Sequence, residues 1–275
     1  MEVGSHTEVS HPPCQQTKPP IPGSAPLTFG SFFGGHARRP NLLDAPHIAY
    51  LTSGRMAIAQ ALLLEKIGPG DEVLVPAYHC SSMIAPINHS GAKVVFYRIQ
   101  QDMTVNIEDI ANKITPRCKL LMVAHYFGFP QPVSTLRQLC NDRGILLLED
   151  CAHALFSNYE NKPLGSFGDY AAGSLMKFFP INDGGFLTAP GTKSLGIRLE
   201  KGGKGFELKT ALNTLEKSFI YKRLRGLEWV LWIPLQVKNL LWRWMKSQSA
   251  DLQLESSPAA SDGGFEFEPK WIHTR

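Results

Sequence analysis

Lys177 lies in the run Gly173-Ser174-Leu175-Met176-Lys177-Phe178-Phe179, a few residues before the pair Gly184-Gly185. Asp150 closes another apolar run, Leu146-Leu147-Leu148-Glu149-Asp150. An amine and a carboxylate at the ends of separate buried strands can divide one task. The amine condenses with an aldehyde to a Schiff base, and the carboxylate keeps a pyridine nitrogen protonated so that the ring accepts electrons. Those are the demands of pyridoxal phosphate (PLP) chemistry. A lysine buried among apolar residues is costly to charge, which lowers its pKa and suits a nucleophile. The plainer reading is a lysine snorkelling from a strand edge.

Three further loops carry groups of the right type. Thr52-Ser53-Gly54-Arg55 stands between a strand and a helix, where backbone N–H groups bind phosphate and Gly54 lets an anion approach. Read alone, Ser-Gly before a helix is ordinary capping. Pro76-Ala77-Tyr78-His79-Cys80-Ser81 follows a strand and offers Tyr78 or His79 to lie against a ring. His79-Cys80 lacks a second ligand at a recognised metal spacing and a His/Asn partner for a thiol nucleophile, so a packed loop is expected for Cys80 and no metal is assigned. In Glu149-Asp150-Cys151-Ala152-His153, Asp150 could cap a following helix and His153 could be a core histidine. One turn apart and pointing the same way, the two instead place a carboxylate at a ring nitrogen and an imidazole at a ring hydroxyl.

The elements that must hold these groups follow from pattern and breakers. Strands are expected at 48–51, 72–76, 93–97, 119–124 and 145–149, and helices at 56–66, 81–90, 106–114 and 134–143, with Gly68, Gly91 and Gly144 as stops. Apolar strands alternating with helices predict an α/β fold, a mostly parallel sheet covered on both faces. Such sheets bind ligands beyond their carboxyl ends.

Outside that region, residues 1–45 read as a flexible lead, with Pro12-Pro13, Pro19-Pro20 and Pro22. Residues 46–190 are expected to form the large, PLP-binding α/β domain, and 191–275 a helical segment and linker that begin an incomplete C-terminal region. A helix is expected over 218–246, kinked at Pro234, with Trp229, Trp232, Trp242 and Trp244 among Lys and Arg. Charges at Glu228, Lys238 and Arg243 keep it from spanning a bilayer. Residues 227–246 could lie on a membrane surface, but an apolar face awaiting a further domain is the preferred reading.

With 43% hydrophobic and 19% charged residues, the chain has material for a full core. A net charge of +4 without a Lys/Arg run gives no reason to expect nucleic acid. Five cysteines without a CxxC pair, and a polar start, predict a reducing, cytoplasmic setting.

Several stretches together resemble the DegT-type (DegT/DnrJ/StrS) PLP-dependent sugar aminotransferases. They are Gly68-Pro69-Gly70-Asp71-Glu72-Val73-Leu74-Val75-Pro76, His125-Tyr126-Phe127-Gly128-Phe129-Pro130, Glu149-Asp150-Cys151-Ala152-His153-Ala154 and Gly165-Ser166-Phe167-Gly168-Asp169. The resemblance runs over roughly residues 48–190 and implies a fold-type-I PLP enzyme, usually a homodimer. Such an enzyme moves an amino group from an amino acid, commonly glutamate, to a keto sugar on a nucleotide carrier. By that resemblance Lys177 matches the Schiff-base lysine, Asp150 the pyridine-nitrogen carboxylate, His153 the ring-hydroxyl partner, and Ser53, Gly54 and Arg55 the phosphate loop. The family's phosphate-binding Ser falls on Ala172, leaving Ser174 as the substitute. The family's stacking aromatic falls on Cys80, leaving His79 or Tyr78. Some relatives in the family lose the lysine and become sugar dehydratases, and Lys177 argues against that activity here. Members continue through a smaller C-terminal domain, so this chain reads as a truncated product, and a non-catalytic remnant is the competing expectation.

Overall fold

The computed structural model describes residues 40–191 without interruption, together with 22, 24–33, 195–197, 199–201, 203–224 and 273–274. The expectations for the first 21 residues, for the Trp-rich stretch 227–246 and for the linker 247–264 lie outside the described residues.

Chain order alternates strand and helix: β1 (Ile48–Leu51), α1 (Gly54–Leu64), β2 (Glu72–Pro76), α2 (Ser81–Ser90), β3 (Lys93–Tyr97), α3 (Ile107–Lys113), β4 (Cys118–Ala124), α4 (Val133–Arg143) and β5 (Leu146–Asp150). A small hairpin of β6 (Asn158–Tyr159) and β7 (Lys162–Pro163) precedes β8 (Tyr170–Ser174) and β9 (Gly185–Thr188). The short strands β10 (Glu200–Lys201) and β11 (His273–Thr274) pair in parallel and stand before and after the helix α5 (Lys204–Ile220) in the chain. Seven strands form one sheet in the order β1-β9-β8-β5-β4-β2-β3. Only β9 runs against the others, antiparallel to both β1 and β8.

Strand composition follows position. The central strands β2, β4 and β8 are buried almost throughout, whereas edge strand β1 alternates and edge strand β3 is mostly half-buried or exposed. The two-residue period sorts side chains onto opposite faces. Val73, Val75, Leu120, Met122 and Leu148 pack with Ala57 and Ala61 of α1 and Ile87 of α2. Leu74, Leu121, Val123 and Leu147 pack with Ile110 of α3 and Leu136 and Cys140 of α4. The same alternation sends Asp150 toward the α1 side and its neighbour Glu149 toward the α4 side. Two glycines in the left-handed conformation, Gly91 (φ 80°) and Gly144 (φ 63°), end α2 and α4.

Three expectations need correction. The helix expected to begin at Ser218 instead begins at Lys204; it reaches Ile220 and a turn through Lys222 (φ 53°), and the rest of the expected span, 225–246, lies outside the described residues. Its start at Gly203-Lys204 was obscured by the glycines around it. The lead read over 1–45 contains short 3-10 turns at Phe29–Phe32 and Leu42–Asp44, and Leu42 is buried. Leu42 fills the space over Gly165, where a Cβ would stand 2.6 Å from its Cδ1. The residues directly after Asp150 form a turn, so its carboxylate caps that turn rather than a helix.

Candidate active site

The carboxyl ends of β1, β2, β4, β5 and β8 open onto one pocket of about 560 Å³. All eight predicted site residues line it: Ser53, Gly54, Arg55, His79, Asp150, His153, Ser174 and Lys177. Parallel strands make this convergence possible, because each hands its next loop to the same edge of the sheet.

Ser53 caps α1, its Oγ accepting a hydrogen bond from Met56 N at 3.3 Å. The first turn of α1 leaves backbone N–H groups facing the pocket, a natural anion seat. Close glycine packing pins that turn to the sheet. A Cβ on Gly185 would fall 2.1 Å from the Ser53 carbonyl carbon, and one on Gly54 would meet Gly173 O at 3.2 Å. Gly184 N also donates to Thr52 O at 2.7 Å. Arg55 Nη2 donates to Ser82 Oγ at 3.3 Å, joining α1 to α2 at the same corner. Ser174, buried at the end of β8, comes against Gly54. Ala172 shares its face of β8 but sits two residues deeper in the apolar core.

Asp150 accepts a hydrogen bond from Ala152 N at Oδ1 (2.9 Å), its one hydrogen bond to a side-chain oxygen among the described residues. This local turn, and not a helical turn as expected, brings His153 back to the pocket. Desolvation pushes the Asp150 carboxyl above its usual range, outweighing the opposing pull of Ala152 N–H, Lys177, His153 and His125. A desolvated carboxylate with spare acceptor capacity suits a protonated ring nitrogen.

Lys177 is not buried as the sequence suggested. It is exposed on a one-turn 3-10 helix, Leu175–Lys177, just beyond β8. Its Nζ lies 2.9 Å from His153 Nε2. Desolvation, and then the Lys177 charge, lower the His153 pKa, while Asp150 raises it. The neutral imidazole therefore accepts a hydrogen bond from Lys177 Nζ.

The second loop takes a different form from that expected. Cys80 is exposed on the pocket wall rather than packed away. His79 has one ring face covered by Phe96, with centroids 5.0 Å apart and 11° between planes. Tyr78 packs against Tyr126 at 5.5 Å, and Tyr126 Oη donates to Tyr78 O at 2.6 Å.

Residues not singled out in the sequence complete the site. His125 lines the pocket from the end of β4. Gln131 N donates to its Nδ1 at 3.2 Å, so Nε2 carries the proton and donates to Glu149 Oε2 at 2.9 Å. Glu149 also accepts from Gly165 N (2.9 Å), Phe167 N (2.8 Å) and Gly168 N (2.6 Å). With Cys151 close by, His125 and Glu149 form a compact donor group, but these hydrogen bonds already occupy its nitrogens and carboxylate oxygens. The available signal was position: His125 directly follows an apolar strand, as Asp150 ends one.

The donor set fits PLP. An anion seat at α1, a desolvated carboxylate, a neutral imidazole and a primary amine surround one cavity large enough for a small aromatic cofactor.

Known proteins resemble this chain over the segment that carries the pocket. The model of the DegT/DnrJ/EryC1/StrS aminotransferase family matches residues 40–192. The chain is 31% identical over 170 residues to a dTDP-4-dehydro-2,3,6-trideoxy-D-glucose 4-aminotransferase of Saccharopolyspora spinosa, covering 61% of this chain and 43% of that one. It is 31% identical over 150 residues to a GDP-perosamine synthase of Vibrio cholerae, covering 54% and 41%. Among solved structures, a putative sugar aminotransferase, Spr1654, from Streptococcus pneumoniae in its PLP form superposes with TM-score 0.52 at 27% identity, covering 54% of this chain and 42% of that one. The chain thus spans less than half the length of these relatives. The matched segment contains every residue of the pocket described above, and the chain belongs to the DegT/DnrJ/EryC1/StrS aminotransferase family.

Proposed function

We propose that this chain carries the cofactor site of a PLP-dependent aminotransferase that transfers an amino group from an amino acid, with glutamate the first candidate, to a nucleotide-linked keto sugar. The observation that carries the reading is the convergence of Lys177, Asp150, His153 and the α1 N-terminus on one pocket. The names of the relatives, a dTDP-sugar 4-aminotransferase and a GDP-perosamine synthase, support the sugar class. A homodimer belongs to the same proposal.

Bound there, PLP would supply an aldehyde for amine exchange and a ring that accepts electrons from the carbon bearing the amine. The protein's groups would divide the work. Ser53, Gly54, Arg55 and Ser174 hold the phosphate, through the helix N-terminus and a guanidinium. Asp150 holds a proton at the ring nitrogen, an ion pair that offsets the cost of its own desolvation. Lys177 Nζ is the nucleophile, and when released as a free amine it moves a proton between substrate and cofactor carbons. His153, with Nε2 beside Lys177 Nζ, would stand at the ring hydroxyl. His79, with one face on Phe96, presents the other to the ring.

The test is a visible spectrum of the purified 275-residue chain with PLP, before and after borohydride, followed by peptide mapping. An absorption band converted to a reduced adduct on Lys177 is expected, and Lys177→Ala should remove both. An unchanged band in that variant would refute the assignment. Turnover of nucleotide-linked keto sugars with glutamate tests the transfer itself.

A further inference from the structure

The turn Tyr126–Gly128 adopts a conformation that folding alone does not reward. Phe127 sits at φ 55°, ψ 18°, the left-handed region that a residue with a β-carbon avoids and glycine accepts. Its ring is 65% exposed, so burial returns little for the strain. Gly128 continues the left-handed path at φ 88° and presses on the segment that bears His153. A Cβ there would stand 3.1 Å from His153 O and 3.2 Å from Ser157 Oγ. The result is that the Phe127 ring lies nearly parallel to the His153 imidazole, 15° between planes and 6.0 Å between centroids.

The imidazole has few other restraints. The contact with Lys177 Nζ is the one hydrogen bond its ring makes among the described residues. An exposed histidine held only at one nitrogen would turn about χ1 and χ2 and lose its aim. We infer that Phe127 is a positioning residue whose ring, carried by the left-handed turn, holds His153 with Nε2 directed at Lys177. The inference rests on the proposal that Lys177 and His153 serve one cofactor site, and adds to it the group that aims the imidazole. Strain kept at a functional site in this way is a recognised device.

The charged groups facing the imidazole are Lys177 and Asp150, with opposite effects, and desolvation outweighs both. Removing the ring that covers one face hydrates the imidazole and raises its pKa, leaving the two charges in place.

The experiment compares Phe127→Gly, Phe127→Ala and Phe127→Tyr in the whole chain, with labelled histidines titrated by NMR and His153→Gln identifying the resonance. Phe127→Gly should raise the His153 pKa, and Phe127→Ala should move it the same way. The glycine variant should keep or raise the thermal midpoint, because it relieves the backbone. Borohydride trapping of PLP at Lys177 should slow several-fold in both small variants and stay near wild type in Phe127→Tyr. A His153 titration unchanged in the Gly and Ala variants would overturn the inference, as would a tyrosine variant that behaves like alanine. If PLP is never trapped at Lys177 in the wild type, the cofactor proposal falls, and the titration still decides the role of Phe127.

Discussion

Glu149 Oε2 receives a hydrogen bond from His125 Nε2 at 2.9 Å with both side chains withdrawn from solvent. The same carboxylate accepts backbone N–H groups from Gly165, Phe167 and Gly168. It therefore ties the ends of β4 and β5 to the loop that leads into β8. Asp150 is the next residue on β5, and Lys177 follows the far end of β8, so this anchor sets the frame in which those two groups meet. Glu149→Gln keeps the volume but turns an amide N–H₂ toward donors. It should cost about 2–4 kcal/mol in urea unfolding. A midpoint equal to wild type would remove the anchoring role.

Asp150 leads to an opposite expectation for stability. Its folded-state pKa is raised, so the folded protein binds that proton more tightly than the unfolded chain. Stability is then highest below the ordinary carboxylate pKa and falls as pH rises through the elevated value. Asp150→Asn removes the penalty. At pH 7 the variant should melt at the same temperature as wild type or higher, while the transfer activity proposed above drops roughly 10²- to 10⁴-fold. Lower stability at pH 7 together with full activity would contradict both halves.

Glu72 sits at the amino end of β2, away from the pocket. Thr115 Oγ1 donates to Oε2 at 2.5 Å, and Lys93 Nζ and Arg117 Nη2 approach Oε1 at 3.1 and 2.8 Å. The Thr115 hydroxyl and then Lys93 lower its pKa against the opposing desolvation, with Arg117 adding to the shift. A lowered folded pKa means stabilisation that is present above the ordinary carboxylate pKa and lost as pH falls through the lowered value. Glu72→Gln should weaken the protein at neutral pH and flatten the acid limb of its stability curve. Urea midpoints from pH 2 to 7 would show this. An acid limb of unchanged slope would exclude Glu72 as its source.

Gly185→Ala tests the seat for phosphate. The new Cβ would overlap the Ser53 carbonyl carbon at 2.1 Å and Gly54 N at 2.5 Å, all backbone atoms with little room to yield. The turn at Ser53-Gly54 must move off β9, at a cost of about 1–3 kcal/mol. PLP should then bind at least about tenfold more weakly, since about 1.4 kcal/mol corresponds to that factor. Calorimetric melting and fluorescence titration with PLP would check the two effects. Wild-type affinity in the variant would mean that the Ser53-Gly54 turn does not hold the phosphate.

The alternation of apolar strands with helices was legible from residue 48 onward, because a strand buried on both faces must be apolar along its length. Lys177, Asp150 and His153 were legible as chemistry, being polar groups placed directly after such strands. Their surroundings were less so. Lys177 reads as buried by its apolar neighbours, but a short 3-10 turn lifts it into the pocket mouth. His153 returns through the Asp150 turn and not along a helix, a distinction that depends on one hydrogen bond to Ala152 N.

The amino-acid sequence by itself determined the α/β class, the strand ends and the set of candidate groups, since these follow from local period, turn residues and the position of polar groups after apolar runs. Only the tertiary structure decided which groups meet. Strand order β9-β8-β5-β4 and the antiparallel return of β9 bring Gly185 against Ser53, and the two-residue alternation along β5 separates Asp150 from Glu149. The left-handed backbone of Phe127, the His125–Glu149 pair and the exposure of Cys80 belong to the same category. Each depends on contacts between residues distant in the chain, whose free energies no local pattern records.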